Sequence, residues 1–226
     1  MKIHRLHAWD VKIDEARRIQ KELVKKLRIE PLKSEVSYIA GADVSYSRTT
    51  NTMYAAIVVL HLPQLEIVES TSAIGKANFP YVPGFLSFRE APILLQAFEK
   101  LRSSPDVAMF DGQGIAHPLK LGLAVHLGLF LDIPTIGCAK KRLVGEFEEP
   151  GNENGAQSLL VHKHEPVGVV LRTKSNVKPV YISPGHKINL EGAVDCTLKT
   201  IRGFRLPEPT RQAHLLVNKI RTSSQP

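Results

Sequence analysis

Cysteine is scarce in this sequence, which argues against protein classes that depend on it. Among the 226 residues only Cys138 and Cys196 are cysteines, and they stand far apart in the chain. Two such residues form neither the ligand set of a structural zinc site nor a disulfide framework. We therefore expect free thiols and a cytoplasmic protein.

Long hydrophobic runs are also missing. No stretch of about eighteen apolar residues occurs, so the sequence predicts no membrane span. The N-terminal residues carry charges but no apolar core segment, which argues against a secretory signal peptide. There is no internal repeat and no low-complexity tract. The length fits one large domain, and we expect residues 1–226 to form a single domain that is a monomer.

Acidic residues are outnumbered by basic ones. The chain has 30 lysines and arginines against 22 aspartates and glutamates, which gives a formal net charge of +8 and a pI near 9.5. A basic protein favours an anionic partner, and nucleic acid is the commonest such partner.

Apolar periodicity and turn residues divide the chain into predicted elements. The predicted strands are 37–46, 53–61, 65–74, 107–110, 134–139, 166–173 and 178–183, and the predicted helices are 10–27, 87–102, 119–131, 189–201 and 208–220. Asp10 is the expected cap of the first helix. Short breaks at 48–51 and 63–64 favour an antiparallel meander of the first three strands, and the glycine-rich stretch 145–155 is interpreted as a mobile surface loop. We predict an α/β fold with a mixed sheet, parallel strands beside the meander and helices on both faces.

Two aspartates stand where this fold can bring them together. Asp43 interrupts an apolar strand, and Asp111 ends the strand 107–110 before a glycine loop. If these strands lie side by side and parallel, both carboxylates come to one place, where a hard divalent cation would relieve their repulsion. Alternatively, Asp43 faces solvent or forms a buried ion pair, and Asp111-Gly112 only reverses the chain.

Glu90 would extend this pair to an oxygen-rich cluster. Such a donor set suits Mg²⁺ better than zinc, because no cysteine and histidine ligand set is present. Metal-assisted phosphodiester hydrolysis is the reaction expected of an acidic cluster in a basic protein. The alternative for Glu90 is a capping box, in which Ser87 caps the helix 87–102 and Glu90 takes the third position.

Two further features suit nucleic acid, and a third residue, His214, is considered beside them. Prolines on both sides of the Tyr81-Val82 pair stiffen the backbone and would present the Tyr81 ring as a wedge or stacking platform, unless the ring packs onto the core. Lys140 opens a run of three cations at a strand end, where phosphate can bind, although an exposed basic cluster needs no role. His214 lies in the last helix, where a lone histidine is more often structural.

Five motifs resemble those of the endonuclease V family, the deoxyinosine 3′-endonucleases. They are Tyr38-Ile-Ala-Gly-Ala-Asp-Val-Ser-Tyr46, Pro80-Tyr-Val-Pro-Gly-Phe-Leu-Ser-Phe-Arg-Glu90, Asp111-Gly-Gln-Gly-Ile-Ala-His-Pro118, Pro134-Thr-Ile-Gly-Cys-Ala-Lys-Lys-Arg-Leu143 and Arg205-Leu-Pro-Glu-Pro-Thr-Arg-Gln-Ala-His214. The resemblance covers nearly the whole chain, and the motifs follow the order of the family.

The resemblance implies a ribonuclease H-like fold, a single catalytic domain, a cytoplasmic location and dependence on Mg²⁺, with Mn²⁺ as a substitute. It implies that the protein nicks DNA at the second phosphodiester bond on the 3′ side of deoxyinosine, a product of adenine deamination. The expected products carry 3′-hydroxyl and 5′-phosphate ends, and the nick initiates repair.

Residue roles follow by motif match. Asp43 and Asp111 correspond to the metal ligands, and Glu90 corresponds to the third acidic residue, which serves a second metal or its water. His214 corresponds to the C-terminal active-site histidine, near the attacking water or the metal. Lys140 corresponds to a lysine that stabilises the scissile phosphate.

The resemblance also implies a strand-separating wedge and a base pocket. Tyr81 belongs to the wedge at 80–83, in which Val82 replaces the isoleucine common in the family. The pocket for a flipped hypoxanthine is expected from Leu86 and the loop 112–117, which contains Gly112, Gly114 and His117. Glycine lets backbone groups reach the base edge, and turning a base out costs about a few kcal/mol, least for a poorly paired base.

Two other functions stay open. A relative that acts mainly on inosine in RNA would carry the same motifs, since only contacts to the 2′-hydroxyl tell RNA from DNA. A non-catalytic protein that binds inosine is the alternative from another class, and the presence of every acidic position argues against it.

Overall fold

An eight-stranded mixed sheet forms the centre of the fold, with strand order β3-β2-β1-β4-β5-β8-β7-β6. The computed structural model describes residues 1–47 and 49–224. The strands are β1 Tyr38–Tyr46, β2 Thr52–His61, β3 Glu66–Lys76, β4 Val107–Phe110, β5 Thr135–Ala139, β6 Gln157–His162, β7 Glu165–Leu171 and β8 Val180–Pro184. The helices are α1 Ile13–Leu23, α2 Leu86–Glu99, α3 Leu123–Leu131, α4 Leu190–Lys199 and α5 Glu208–Ser223.

The predicted sheet is confirmed in its main features. Strands β1, β2 and β3 form the antiparallel meander, and β1 pairs in parallel with β4, which pairs in parallel with β5. The short central strands β4 and β5 are buried along their whole length, as expected of strands covered on both faces. Arg48, which belongs to the predicted break between β1 and β2, lies outside the described residues.

The sheet separates two hydrophobic cores. One face carries α2 and α3, with Phe98, Phe110 and Leu127 among its fully buried side chains. The other face carries α4 and α5, with Met109 and Ile182 in its core. Because side chains alternate along a strand, consecutive residues of β1 point to opposite faces, and this alternation decides which helix each polar residue meets.

Several helix ends follow local rules. Asn189 caps α4, since its Oδ1 accepts a hydrogen bond from the backbone N–H of Gly192 at 2.9 Å. Asp132 ends α3 in the left-handed conformation with φ of 55°. The prediction that Asp10 caps the first helix is wrong, because α1 begins at Ile13 after Lys12, without a side-chain cap.

The C-terminal half of the sheet is larger than predicted. Strands β7 and β8, predicted at 166–173 and 178–183, pair with each other and are antiparallel, and β6 adds a further strand beside β7. The preceding stretch 145–155, predicted as a mobile loop, is tied down by the buried guanidinium of Arg172, which donates to the carbonyl of Pro150 at 3.1 Å and the carboxylate of Glu149 at 2.8 Å. Within 1–47 and 49–224, no helix has the length and apolar character to span a membrane.

Candidate metal and nucleic-acid site

Asp43, inside β1, and Asp111, just past the end of β4, lie side by side. Ala42 pairs with Phe110 in the parallel ladder, so the two aspartates follow at the same level. The backbone N–H of Asp111 also donates to the carbonyl of Ala42 at 3.2 Å. The predicted parallel neighbours thus bring the two carboxylates together, and the alternative of a simple chain-reversing turn at Asp111 does not describe this arrangement.

His214 joins the aspartates because α5 lies very close to β1. A side chain on Gly41 would overlap the backbone of Pro209 in the first turn of α5, so glycine is required there. From that contact α5 runs alongside β1 and its His214 Nδ1 lies 2.7 Å from Asp43 Oδ2. One ligand atom from each of Asp43, Asp111 and His214 lies within 4.8 Å of the others, a spacing that can hold a metal ion.

The neighbours of His214 determine which ring nitrogen carries its proton. Asn218 Nδ2 lies 2.9 Å from the His214 carbonyl and 3.1 Å from His214 Nε2. The carbonyl only accepts, and the Arg221 guanidinium near Asn218 Oδ1 only donates, so the amide orientation is fixed. Nε2 therefore accepts, and Nδ1–H donates to Asp43. Ser45 completes the chain by donating to Asn218 Oδ1 at 3.2 Å.

Lys140, at the end of β5, forms an ion pair with Asp111. Burial and the negative charge of Asp43 raise the pKa of Asp111, while the Lys140 ammonium opposes that rise. Burial alone would lower the pKa of Lys140, but the Asp111 carboxylate raises it overall. The pair places one cation beside two carboxylates at the opening of the site.

Glu90 lies near the three groups but on the other face of the sheet. It comes from α2, is 7% exposed, and accepts a hydrogen bond from the Tyr46 hydroxyl of β1. Burial raises its pKa to about 8, and the charges of Asp43 and Asp111 add to the rise. The capping-box alternative is wrong, because helix α2 has no side-chain cap and Ser87 instead bonds His126 Nδ1 at 2.9 Å.

A cavity of about 460 Å³ opens beside Asp111. The predicted pocket residues Leu86, Gly112 and His117 line it, and the predicted wedge residue Tyr81 and Lys140 line it as well. Gly114 does not line this cavity. A side chain there would overlap the carbonyl of Pro184, and its N–H bonds Ser183 Oγ at 2.7 Å, so Gly114 lets the loop pack onto β8.

The turn that carries Tyr81 is held from two sides. The carbonyl of Gly84, a residue with φ of +81°, accepts hydrogen bonds from Gln20 Nε2 at 2.8 Å and from His117 Nε2 at 3.0 Å. Tyr81 itself is 73% exposed, so the alternative of core packing is wrong. Buried His117 thus supports the turn in addition to lining the cavity.

Sequence reasoning missed Tyr46 and Asn218. Asn218 follows His214 by four positions, about one helical turn, which is the signal that could have found it, whereas Tyr46 is three positions after Asp43 and so points to the other face of the strand. Gln113 lines the cavity and donates to the Lys141 carbonyl at 2.9 Å. Its Oε1 is buried and has no hydrogen-bond partner among the described residues.

Comparison with known proteins gives consistent matches. The family model of endonuclease V matches residues 21–215. Endonuclease V of Dehalococcoides mccartyi is 51% identical over 215 residues, which cover 95% of this chain and 96% of the relative. The structure of endonuclease V from Bacillus subtilis is similar with a TM-score of 0.94 at 34% identity, covering 99% of this chain and 98% of that one.

A more distant structure contains nucleic acid. Endonuclease V of Ciona intestinalis was solved in complex with a 23mer DNA containing an inosine followed by a ribo-adenosine. It is 26% identical to this chain with a TM-score of 0.83, and the match covers 94% of this chain and 98% of that one.

Proposed function

This chain belongs to the endonuclease V family, and on that premise we propose that it is a Mg²⁺-dependent DNA repair endonuclease specific for deoxyinosine. It nicks the strand at the second phosphodiester bond on the 3′ side of the lesion and leaves 3′-hydroxyl and 5′-phosphate ends. The observation that carries this proposal is the convergence of Asp43, Asp111 and His214 beside a cavity large enough for a base.

The donor set fits a hard divalent cation. Two carboxylates from adjacent parallel strands, one inside β1 and one just past β4, offer oxygen ligands, and burial together with the charge of Asp43 raises the pKa of Asp111. We assign Asp43 and Asp111 as the ligands of Mg²⁺, with Mn²⁺ as a substitute. When bound, such an ion supplies an activated water and neutralises charge on the phosphate.

The remaining side chains act on the ligands and on the substrate. His214 donates through Nδ1 to Asp43 and accepts at Nε2 from Asn218, so it orients a metal ligand. Lys140 offers its ammonium to the scissile phosphate at the edge of the cavity. Glu90, which corresponds to the third acidic residue of the family, lies buried on the opposite face of the sheet, close enough to Asp43 and Asp111 for their charges to raise its pKa.

Recognition uses the cavity and the turn beside it. Tyr81, exposed on a braced turn, serves as the wedge that fills the gap left by a flipped base. Leu86, Gly112 and His117 line the space that accepts hypoxanthine, and Gly114 keeps the loop in place. Weakly paired inosine is favoured because extruding it costs less than extruding a paired base.

A nicking assay tests the proposal with Asp111→Asn. Loss of one ligand removes several kcal/mol of transition-state stabilisation, so nicking of deoxyinosine DNA should fall by roughly two orders of magnitude or more. Asp195→Asn is the matched control, since Asp195 is an exposed carboxylate that pairs with Lys199 on α4. Full nicking by the Asp111 variant, or activity in excess chelator, would contradict the metal-site assignment.

A second candidate is cleavage of inosine-containing RNA. The nucleic acid bound to the Ciona intestinalis relative has a ribo-adenosine after the inosine, which shows that this relative accommodates a 2′-hydroxyl next to the base. The same assay with deoxyinosine DNA, inosine RNA and undamaged DNA separates the two substrates. Binding of inosine without any nicking would instead indicate a non-catalytic reader.

Other expectations are part of the proposal. We propose that residues 1–226 form one catalytic domain that acts as a monomer in the cytoplasm. Both cysteines, Cys138 and Cys196, are free and buried, in keeping with a reducing compartment.

A further inference from the structure

Two exposed aromatic rings flank the candidate site, one on each face of the sheet. Tyr81 precedes α2 and lines the cavity together with Leu86 of α2 and Leu123 of α3, and Phe204 precedes α5 and lies against Arg211 of that helix. Phe204 is 48% exposed. Tyr81 already has a proposed role as the wedge, whereas Phe204 has no role in the proposed reaction.

The backbone next to Phe204 is fixed at the end of β5. The guanidinium of Arg205 donates to the carbonyls of Lys140 and Lys178, both at 2.9 Å, and to that of Pro179 at 3.0 Å. The Thr173 hydroxyl donates to the carbonyl of Arg205. Phe204 is thereby anchored beside the strand end that carries Lys140, within the neighbourhood of the scissile phosphate.

The ring itself is held as well as exposed. The guanidinium of Arg211 lies 4.1 Å from the ring centroid of Phe204. Glu208 fixes that guanidinium with hydrogen bonds to its Nε at 2.6 Å and to a terminal nitrogen at 2.9 Å. A ring that is braced on one side by a fixed cation keeps its orientation, which lowers the entropy lost when a base stacks on its free side.

The positions of the cavity, the two aspartates and Phe204 set the direction of a bound DNA strand. The base cavity opens on the side of α2 and α3, and Phe204 lies on the side of α5. Asp43 and Asp111 lie between them, where the parallel pairing of β1 with β4 ends. A DNA strand that has its lesion in the cavity and its scissile phosphate at the two aspartates therefore continues onto the α5 side. Because the proposed cut lies 3′ of the lesion, the continuing part is the 3′ part.

The charge around Phe204 suits the same occupant. Arg205 and Lys178 lie beside it, and Lys140 lies just beyond, so phosphates leaving the site meet cations. Exposed aromatics next to cations are the elements with which proteins bind single strands. We propose that Phe204 is a stacking platform for a nucleotide on the 3′ side of the scissile bond. This proposal rests on the proposed function, which supplies the strand polarity.

A binding experiment with oligonucleotides of different lengths tests the platform. Each deoxyinosine oligonucleotide carries several nucleotides on the 5′ side, and its 3′ end lies either just past the proposed cut or several nucleotides further. Affinity is measured by fluorescence anisotropy in chelator, so that no nicking occurs. Phe204→Ala should weaken binding of the long oligonucleotide about tenfold and leave the short one unchanged.

Two variants make the result specific. Phe204→Trp keeps an aromatic surface and should restore the affinity for the long oligonucleotide. Tyr38→Ala is the matched control, because Tyr38 is an aromatic residue that is 39% exposed at the opposite end of β1, and it should change neither affinity.

The outcomes separate this proposal from the proposed function. The proposal that Phe204 is a stacking platform would be overturned if Phe204→Ala weakened binding of the long and short oligonucleotides equally. It would also be overturned if the loss of affinity depended on the length of the 5′ side, or if Phe204→Ala had no effect on binding. Failure of the unmodified protein to nick the same long oligonucleotide with Mg²⁺ would instead overturn the proposed function. Nicking by the unmodified protein together with a 3′-length-dependent loss in Phe204→Ala supports both.

Discussion

At the scale of a single residue, the surrounding fold changes the pKa of Glu90. Its carboxyl group is buried between α2 and β1, and the Tyr46 hydroxyl donates to it. Burial also raises the pKa of Tyr46, with the Glu90 charge adding to the effect, so the tyrosine keeps its proton. As pH rises, Glu90 is therefore the group of this pair that loses its proton first.

Glu90→Gln should increase stability at high pH and much less at low pH. The pKa of Glu90 rises from 4.5 to about 8 on folding, so between these values the folded state holds a proton that the unfolded chain has released. Stability thus falls as pH rises through this window, and each pKa unit corresponds to about 1.4 kcal/mol.

Thermal unfolding in chelator at pH 5 and pH 8 measures this effect. The variant should gain several degrees at pH 8, and Glu99→Gln, an exposed position at the end of the same helix, should gain nothing. An equal shift at both pH values would show that charge burial is not the cause.

Asn218 determines which tautomer the ring of His214 adopts. Asn218→Leu removes the donor to His214 Nε2, so the ring is free to adopt the tautomer that no longer donates to Asp43. Losing one such hydrogen bond costs about 1 kcal/mol, and the rate constant for nicking should fall about fivefold with little change in affinity for DNA.

Nitrogen-15 chemical shifts of the His214 ring measure the tautomer directly. The unmodified protein should show a protonated Nδ1, and Asn218→Leu should show a mixture. Lys219→Leu is the neighbouring control, since Lys219 is exposed on α5. An unchanged tautomer in the Asn218 variant would remove its positioning role.

At the scale of elements, the approach of α5 to β1 builds the site. His214 and Asn218 extend from one helix, and they reach Asp43 and Ser45 only because Gly41 lets that helix lie directly on the strand. The contact is between rigid backbones, so a small group inserted there cannot be absorbed by a side-chain movement.

Gly41→Ala should therefore displace α5 and damage both stability and nicking. Overpacking of this kind costs about 1–3 kcal/mol, and the lost His214–Asp43 contact reduces activity further. Gly75→Ala on β3 is the control, because its added methyl group meets only the flexible end of Ile93. Denaturant unfolding and a nicking assay check the prediction, and a Gly41 variant as active and stable as Gly75→Ala would contradict it.

At the scale of the whole molecule, positive charge is concentrated where it can serve the site. The formal net charge is +8, and the run Lys140, Lys141 and Arg142 borders the cavity. Contacts between these cations and phosphates release counterions, so DNA affinity should fall steeply with salt.

Lys141→Ala should weaken DNA binding and, because it removes one phosphate contact, make the affinity less dependent on salt. For duplex DNA the slope of log affinity against log salt should decrease in magnitude by roughly 0.9. Lys33→Ala is the control, because exposed Lys33 lies near the amino ends of β4 and β5, away from the cavity. A Lys141 variant with an unchanged slope would show that this residue makes no phosphate contact.

Local patterns were sufficient for much of this protein. The alternation and apolar character of β1, β2, β4 and β5 predicted the mixed sheet, and the parallel pairing of β1 with β4 followed from the crossover between them. That pairing predicts Asp43 beside Asp111, because an aspartate inside an apolar strand and an aspartate just past a strand end are both local features of the sequence. Strand β6 was missed because it is a partly exposed edge strand with weak alternation.

The sequence by itself determined the basic character of the protein, the aspartates of β1 and of the turn after β4, and the glycine loop, all of which depend on residues near each other in the chain. Only the tertiary structure decided that His214 meets Asp43, a contact across 171 positions, and that Glu90 approaches from the opposite face. It also placed Tyr81 at the cavity and Phe204 against Arg211 of α5. Such contacts depend on how helices pack on the sheet, and packing follows from the shape and burial of the whole core.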